Sequence, residues 1–167
     1  ETHQELGASE LAFMLRDEQG GGIGGTVPHI DAERNISLYK TIVKAMDKKL
    51  ISSAHDCSDG GLAVSLAECC FGSDSGALIH IDSLWTDCQE LDSWGALFSE
   101  SLGRILVSIK PKNKIEFEQH MQNHSFHEIG IVSSDKKIQI LKNQKAILTA
   151  SLPNLKKSWQ SSLNGGN

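Results

Sequence analysis

Residues 50–70 read LISSAHDCSDGGLAVSLAECC, a stretch in which a strand, a tight turn and a helix follow one another directly. Residues 50–54 are short and partly β-branched, which predicts a buried strand. Gly60 and Gly61 then open residues 62–70, where apolar side chains lie nearly all round the helix. Because a helix that is apolar on all sides is usually buried, we expect this strand–turn–helix unit at the centre of the fold.

Alternating elements continue on both sides of this unit. Helices are predicted over residues 9–16, 36–46, 91–98 and 113–124 and from Pro153 onward, and strands over residues 77–81, 104–109, 126–132, 137–141 and 146–150. Strands that alternate with helices and end in a run of strands predict an α/β (α+β) fold, built as a layered mixed sheet with flanking helices.

The length of the chain fits one domain over residues 1–167. A glycine-dense stretch followed by a proline predicts a loop over residues 17–35. Asp31 and Asn35 are both suited to cap the helix that follows. Residues 163–167 contain two glycines and predict a flexible tail.

Composition restricts the classes of function. The net charge of −5 argues against a nucleic-acid partner, because phosphate contacts need clustered Lys and Arg. No apolar run approaches the ~20 residues that cross a bilayer, so no membrane partner is expected. The four cysteines have no C-x-x-C spacing and indicate neither a zinc site nor a disulfide framework. Reduced cysteines without a signal peptide favour a cytoplasmic protein.

The turn before the apolar helix is the first candidate site. Asp56, Ser58 and Asp59 precede Gly60 and Gly61. The two glycines allow backbone N–H groups to approach an anion, and the two carboxylates are suited to Mg²⁺. The alternative is simple capping, in which Ser58 or Asp59 accepts from the free N–H groups of the helix. The turn alone does not separate the two interpretations.

A second polar cluster precedes the strand predicted over residues 104–109. It consists of Ser99, Glu100, Ser101 and Arg104. A Ser-Glu-Ser turn beside an arginine is suited to bind phosphate or ribose. Equally, the turn is explained by an ion pair between Glu100 and Arg104.

A third cluster lies near the start of the sequence and consists of Glu5, Gly7, Ser9 and Glu10. A loop of this composition is a candidate ligand contact. Its alternative interpretation is a helix cap, with Ser9 as the N-cap residue.

These three clusters, in this order, resemble those of a known family. The run AHDCSDGGLAVSLAE at residues 54–68 closely resembles the hallmark of phosphoribosylformylglycinamidine synthase, synthetase subunit. ELGASE at residues 5–10 is similar to the family's ELGGSE, with Ala8 in place of Gly, and FSES at residues 98–101 to its F-x-E-S. The resemblance implies a fold like the C-terminal domain of aminoimidazole ribonucleotide synthase.

The resemblance also implies a parent activity. The family's enzyme is an ATP-dependent ligase that converts formylglycinamide ribonucleotide, ATP and glutamine-derived ammonia to formylglycinamidine ribonucleotide in purine biosynthesis. ATP and Mg²⁺ are its cofactors, and the remaining synthetase domains and a glutaminase are its partners. Its catalytic histidines and most ATP and Mg²⁺ ligands lie in the N-terminal-type domains. No catalytic residue is therefore expected in this chain, which is expected to be inactive alone.

The family's enzyme is similar to a tandem duplication with two C-terminal-type domains. Leu102 follows Glu100-Ser101 where the first copy is expected to carry Gln, which places this segment as the second copy. Two other functions compete: a non-catalytic interaction domain, and a related nucleotide-binding member of the superfamily. Because the apolar helix over residues 62–70 is expected to face an absent domain, we also expect the isolated chain to form a two-fold dimer.

Overall fold

The computed structural model describes residues 1–16 and 24–161, so most of the glycine-dense stretch and the tail over 163–167 lie outside the described residues. The helices are α1 (Glu10–Met14), α2 (Ala32–Asp47), α3 (Gly61–Ser73), α4 (Ser93–Phe98), α5 (Lys114–Met121) and α6 (Leu152–Ser161). The strands are β1 (Ile51–Asp56), β2 (Gly76–His80), β3 (Ile105–Ile109), β4 (Gly130–Ser133), β5 (Lys137–Lys142) and β6 (Lys145–Ser151). Short 3₁₀ helices cover Asp82–Thr86 and Pro111–Asn113.

The strands form two separate sheets. A four-stranded sheet has the order β4-β2-β5-β6, in which β2 and β5 are parallel and the other pairs are antiparallel. The mixed sheet with flanking helices confirms the predicted α/β class. The remaining strands, β1 and β3, pair only with each other as an antiparallel ribbon. This ribbon was not foreseen, since strand propensity does not say which strands become partners.

Two hydrophobic clusters hold the layers together. The larger one joins α3, the mixed sheet, α4 and α6, and includes Leu62, Leu66 and Cys70 of α3. The smaller one lies between α2, α5 and the ribbon, around Ala45 and Phe117. The apolar helix α3 is therefore central, as its composition predicts.

The strand predicted over residues 50–54 forms, but the expectation that it is buried is wrong. In β1, the side chains of Ser52, Ser53 and Ala54 are exposed. The reason is topological, because β1 has one partner strand and its other edge meets no strand within the described residues. The short β-branched run correctly predicts a strand, but it does not predict whether that strand is buried.

The loop predicted over residues 17–35 extends four residues too far, because α2 begins at Ala32. Residues 32–35 form the first turn of α2, and Asp31 is its N-cap, with its side chain accepting a hydrogen bond from Arg34 N at 3.0 Å. Asn35, the other residue suited to capping, is buried inside the helix instead. The cap at Asp31 satisfies an otherwise free N–H group and starts the helix four residues early.

An exposed apolar surface lies on α1, α2 and the segment between them. Ile36, Tyr39, Val43 and Met46 follow helical spacing along one side of α2 and are 44–55% exposed. We call them, with Phe13, Met14, Leu15, Val27 and Ile30, the α1–α2 face. By contrast, α3 carries no exposed large apolar side chain. The exposed large apolar side chains therefore lie on α2 and not on α3.

None of the helices within residues 1–16 and 24–161 combines the length and the apolar character that a membrane crossing requires.

Ala8 provides a test of backbone strain in the loop before α1. Its φ of 61° lies in the left-handed region, which costs an L-residue roughly 1–2 kcal/mol. We expect Ala8→Gly to raise the free energy of unfolding by roughly 0.5–1 kcal/mol in urea titrations. The control is Ala146→Gly in the exposed part of β6, where glycine is expected to lower stability by about the same amount. Destabilisation by Ala8→Gly would contradict the strain argument.

Candidate functional site

The three predicted clusters meet at the carboxylate of Glu100. Its Oε1 accepts one hydrogen bond from the backbone N–H of Gly60 and one from that of Glu10, both at 2.9 Å. Glu10 opens α1, Gly60 is the N-cap of α3, and Glu100 follows α4. One carboxylate oxygen therefore joins segments that are 40 and 90 residues apart from it in the sequence.

The two glycines of the central turn are required by backbone geometry. Gly60 and Gly61 have φ of 76° and 64°, in the left-handed region that favours glycine. A Cβ atom on Gly61 would lie 2.5 Å from the carbonyl oxygen of Ser99, because the end of α4 approaches the start of α3 closely. The glycine pair thus permits the contact between the first and second clusters.

The capping interpretation of the central turn is wrong in its choice of residue. Neither Ser58 nor Asp59 caps α3. The N-cap residue is Gly60, which has no side chain to accept a hydrogen bond from the first turn of the helix. The Ser58 hydroxyl instead donates to Asp56 Oδ2, and this hydrogen bond lowers the pKa of the Asp56 carboxyl. Asp59 is exposed. The side chain that satisfies Gly60 N comes from Glu100, far away in the sequence.

The turn does not by itself form a cluster of metal ligands. Within residues 1–16 and 24–161, no group of three or more His, Cys, Asp or Glu side chains converges as metal ligands. The Asp56 carboxylate accepts a hydrogen bond from Ser58. Mg²⁺ is usually held by one or two carboxylates together with water and substrate phosphates. A magnesium site at this turn would therefore need ligands from outside the described residues.

Arg104 stabilises the second cluster through hydrogen bonds to its backbone. Its Nε donates to the carbonyl of Ser101 at 3.1 Å, one Nη donates to the carbonyl of Ser99, and the other Nη lies 3.4 Å from Thr2 Oγ1. Burial lowers the pKa of the guanidinium. The expected ion pair with Glu100 does not form within 4.0 Å among the described side chains. The donors of Arg104 are therefore directed at the turn itself and not outward at a phosphate.

The third cluster, near the start of the sequence, anchors the segment that leads into α2. Ser9 is the N-cap of α1, as predicted, and accepts from Ala12 N at 3.2 Å. Gly7 N donates to the carbonyl of Thr26 at 3.0 Å, and Glu5 Oε1 accepts from His29 N at 3.1 Å. The other carboxylate oxygen of Glu5 is buried, and no described residue forms a hydrogen bond with it. These contacts give the cluster a structural role.

Sequence reasoning missed an acidic residue, Asp87, in the polar junction, by which we mean the buried polar side chains around Glu100 and Arg104. Asp87 Oδ2 accepts from Thr2 N at 2.9 Å, and Asp87 Oδ1 lies 2.8 Å from Nε2 of His127. The Asp87 side chain is nearly buried. Asp87 follows a 3₁₀ helix with no motif around it, and its partners are far away in the sequence, so no local signal could have found it.

The role of Glu100 is tested by comparing it with Asp59. Glu100→Ala leaves two backbone N–H groups without their charged acceptor, so we expect a loss of about 1–3 kcal/mol in the free energy of unfolding. Glu100→Gln retains a carbonyl oxygen and should lose less. Asp59→Ala, at an exposed side chain, should stay within roughly 0.5 kcal/mol of the unchanged protein. Urea unfolding measures all three variants, and a cost of about 0.5–2 kcal/mol at Asp59 would restore it as the cap.

Solved structures of known proteins share this fold. T. maritima PurL complexed with FGAR superposes with a TM-score of 0.74 at 17% identity, over 82% of this chain and 23% of that chain. PurLQS from Thermotoga maritima gives 0.71 at 18% identity, over 77% and 22%. E. coli HypE, a hydrogenase maturation protein, gives 0.53 at 17% identity, over 70% and 40%. Identities this low establish the fold alone, and the chain spans less than a quarter of each of the two T. maritima chains.

The amino-acid sequence itself matches a family. The sequence model described as AIR synthase related protein, C-terminal domain, matches residues 5–143. This stretch begins at Glu5 and includes all three clusters that meet at Glu100. Because the match covers most of the molecule, the chain belongs to the AIR synthase related proteins and represents their C-terminal domain.

Proposed function

We propose that this chain is the second C-terminal-type domain of a cytoplasmic, ATP-dependent ligase of purine biosynthesis. The parent enzyme would convert formylglycinamide ribonucleotide, ATP and ammonia to formylglycinamidine ribonucleotide, ADP and phosphate. The ammonia would come from a glutaminase partner. The proposal assigns this segment a framework role beside the ATP-binding domains.

The observation that carries the proposal is the convergence on Glu100. The three stretches that resemble the ligase family are the three that this carboxylate joins, through Gly60 N and Glu10 N. Motifs that resemble one family in sequence are thus also one cluster in space. The superposition on PurL supports the same fold for the two proteins.

The geometry of the turn supports the proposal of a framework role. The N-terminus of a helix attracts anions through its free N–H groups and its dipole. In this chain, the Glu100 carboxylate accepts from Gly60 N, at the position where a phosphate oxygen would be bound. Together with the inward direction of Arg104, this leaves the turn without the charge set that holds a triphosphate. ATP and Mg²⁺ would therefore be held by the other domains of the parent.

The chemistry of the parent reaction fits such a division of labour. ATP would activate the amide oxygen of the substrate as an iminophosphate, and ammonia would then displace phosphate. Proteins catalyse phosphoryl transfer mainly by positioning the reactants and stabilising charge. A rigid wall beside the nucleotide domain, held by Glu100 and Arg104, contributes to positioning.

The α1–α2 face supports an assembly with other domains. Among the described residues between 13 and 46, nine large apolar side chains are exposed. Exposed apolar surface is typical of an interaction site when it is concentrated in one region. The remaining synthetase domains are the proposed partner, and in their absence a second copy of this chain would cover the face.

A pure docking scaffold is the second candidate function. The occupied N-terminus of α3 favours it, because an internal carboxylate fills the most suitable anion site. A scaffold would dock subunits through the α1–α2 face without binding any nucleotide. A third candidate is another member of the superfamily, similar in fold to HypE. It is less favoured, because HypE superposes on this chain with a lower TM-score than PurL, 0.53 against 0.74.

Activity and nucleotide binding separate these functions. The purified chain should give no formylglycinamidine ribonucleotide from substrate, ATP and ammonia, because no catalytic residue is proposed in it. Isothermal titration with ATP and with ADP, each with and without Mg²⁺, tests whether the chain itself binds nucleotide. Glu100→Gln is the matched variant, since removing the internal charge should strengthen any anion binding at the turn. Product formation by the isolated chain would contradict the framework role.

Self-association tests the α1–α2 face. We expect the chain to form a concentration-dependent dimer in sedimentation equilibrium, and Val43→Glu to shift it to monomer, because a buried unpaired charge opposes association. Ile115→Glu is the control, an exposed apolar residue on α5 outside this face. A monomer at all concentrations, or equal loss of dimer in both variants, would contradict the assignment of the face.

A further inference from the structure

A cavity of about 260 Å³ lies between α3, the mixed sheet and α6. Nearly all of its lining is apolar, and its walls include Ala67, Phe71, Ile140, Ala150, Leu155 and Trp159. A single charged side chain, Glu68, reaches its lining. The cavity opens to solvent on one side, so a small molecule can enter it from outside.

A third of the lining residues of the cavity lie outside the family match. Leu148 and Ala150 of β6 and Leu155 and Trp159 of α6 all follow residue 143, where the match ends. The cavity is thus formed where this C-terminal hairpin and helix close over the shared core. It is separate from the Glu100 junction and does not depend on the proposed ligase function.

Glu68 supplies the polar contact. Its Oε1 accepts from the indole Nε1 of Trp159 at 3.2 Å, and its Oε2 lies 3.4 Å from Nε2 of His55. An ionised carboxylate has about four lone-pair sites, so it can accept a further N–H donor from a molecule in the cavity. The Trp159 ring also lies 5.7 Å from the Phe71 ring, centroid to centroid, in a tilted arrangement. Glu68 is therefore an acceptor for an aromatic N–H group within the wall itself.

We propose that this cavity binds a small planar heteroaromatic molecule of indole size, with its N–H directed at Glu68. The size argument rests on apolar cavities in general: one of about 150 Å³ lined by aliphatic and aromatic side chains holds benzene. A volume of about 260 Å³ has room for a second fused ring. Mostly apolar walls with one placed polar group are the usual composition of a small-molecule pocket.

The experiment uses indole as the ligand and the full 167-residue chain. Isothermal titration should show saturable binding, and the thermal midpoint should rise with indole concentration, as for any ligand that binds only the folded state. Ala150→Leu, which adds three carbons inside the cavity, should weaken binding roughly tenfold or more, equivalent to about 1.4 kcal/mol. Ala67→Leu fills the cavity from the opposite wall and gives the same test should Ala150→Leu fail to fold. Ala146→Leu, on the same strand but exposed and outside the lining, should bind indole unchanged.

Benzofuran tests the contact with Glu68, because it has the shape of indole without the N–H group. We expect it to bind roughly three- to tenfold more weakly, the net contribution of one hydrogen bond. Equal affinity for the two molecules overturns the proposed orientation. Absence of saturable indole binding, or unchanged binding in both cavity-filling variants, overturns the site.

Discussion

The carboxylate of Glu100 is the contact on which the arrangement of the N-terminal half depends. Its Oε1 accepts from Gly60 N and from Glu10 N, so it fixes the start of α3 and the start of α1 relative to the end of α4. Hydrogen bonds to an ionised acceptor are about twice as strong as neutral ones. The price of this arrangement is a restricted backbone, since Gly61 must pass the carbonyl of Ser99 without a Cβ.

The contacts around Glu100 form a buried polar junction between the segments that meet there. The buried polar residues Thr2, Glu5, Ser9, Ser99 and Ser101 all lie in it, with Arg104 beneath them. Buried polar groups stabilise a structure only when their partners are present, and most of these have one. The free carboxylate oxygen of Glu5 is the exception. A network of this kind specifies one geometry for the segments that meet at Glu100.

The molecule thus has two unlike surfaces with different consequences for function. The polar junction is closed on itself, with Glu100 and Arg104 directed at the protein's own backbone. The α1–α2 face is open and apolar, and calls for a partner. Since one fold can support many functions, the family and the fold do not by themselves assign a reaction. The framework role that we propose rests on the closed turn and the open face together.

The features that depend on neighbouring residues could be predicted from the amino-acid sequence. The apolar composition of α3, the Ser9 cap, the glycine turn and the α/β class follow from signals within a few positions of each other, and the three motifs indicate the family. Only the tertiary structure decided that β1 is exposed in a two-stranded ribbon, and that Glu100, not Ser58 or Asp59, satisfies the start of α3. It also decided that α2, not α3, carries the open apolar face. The physical reason is that helical periodicity and capping act over about one turn. Strand pairing and contacts across 40 or 90 residues depend on which distant segments meet, and no local pattern encodes that.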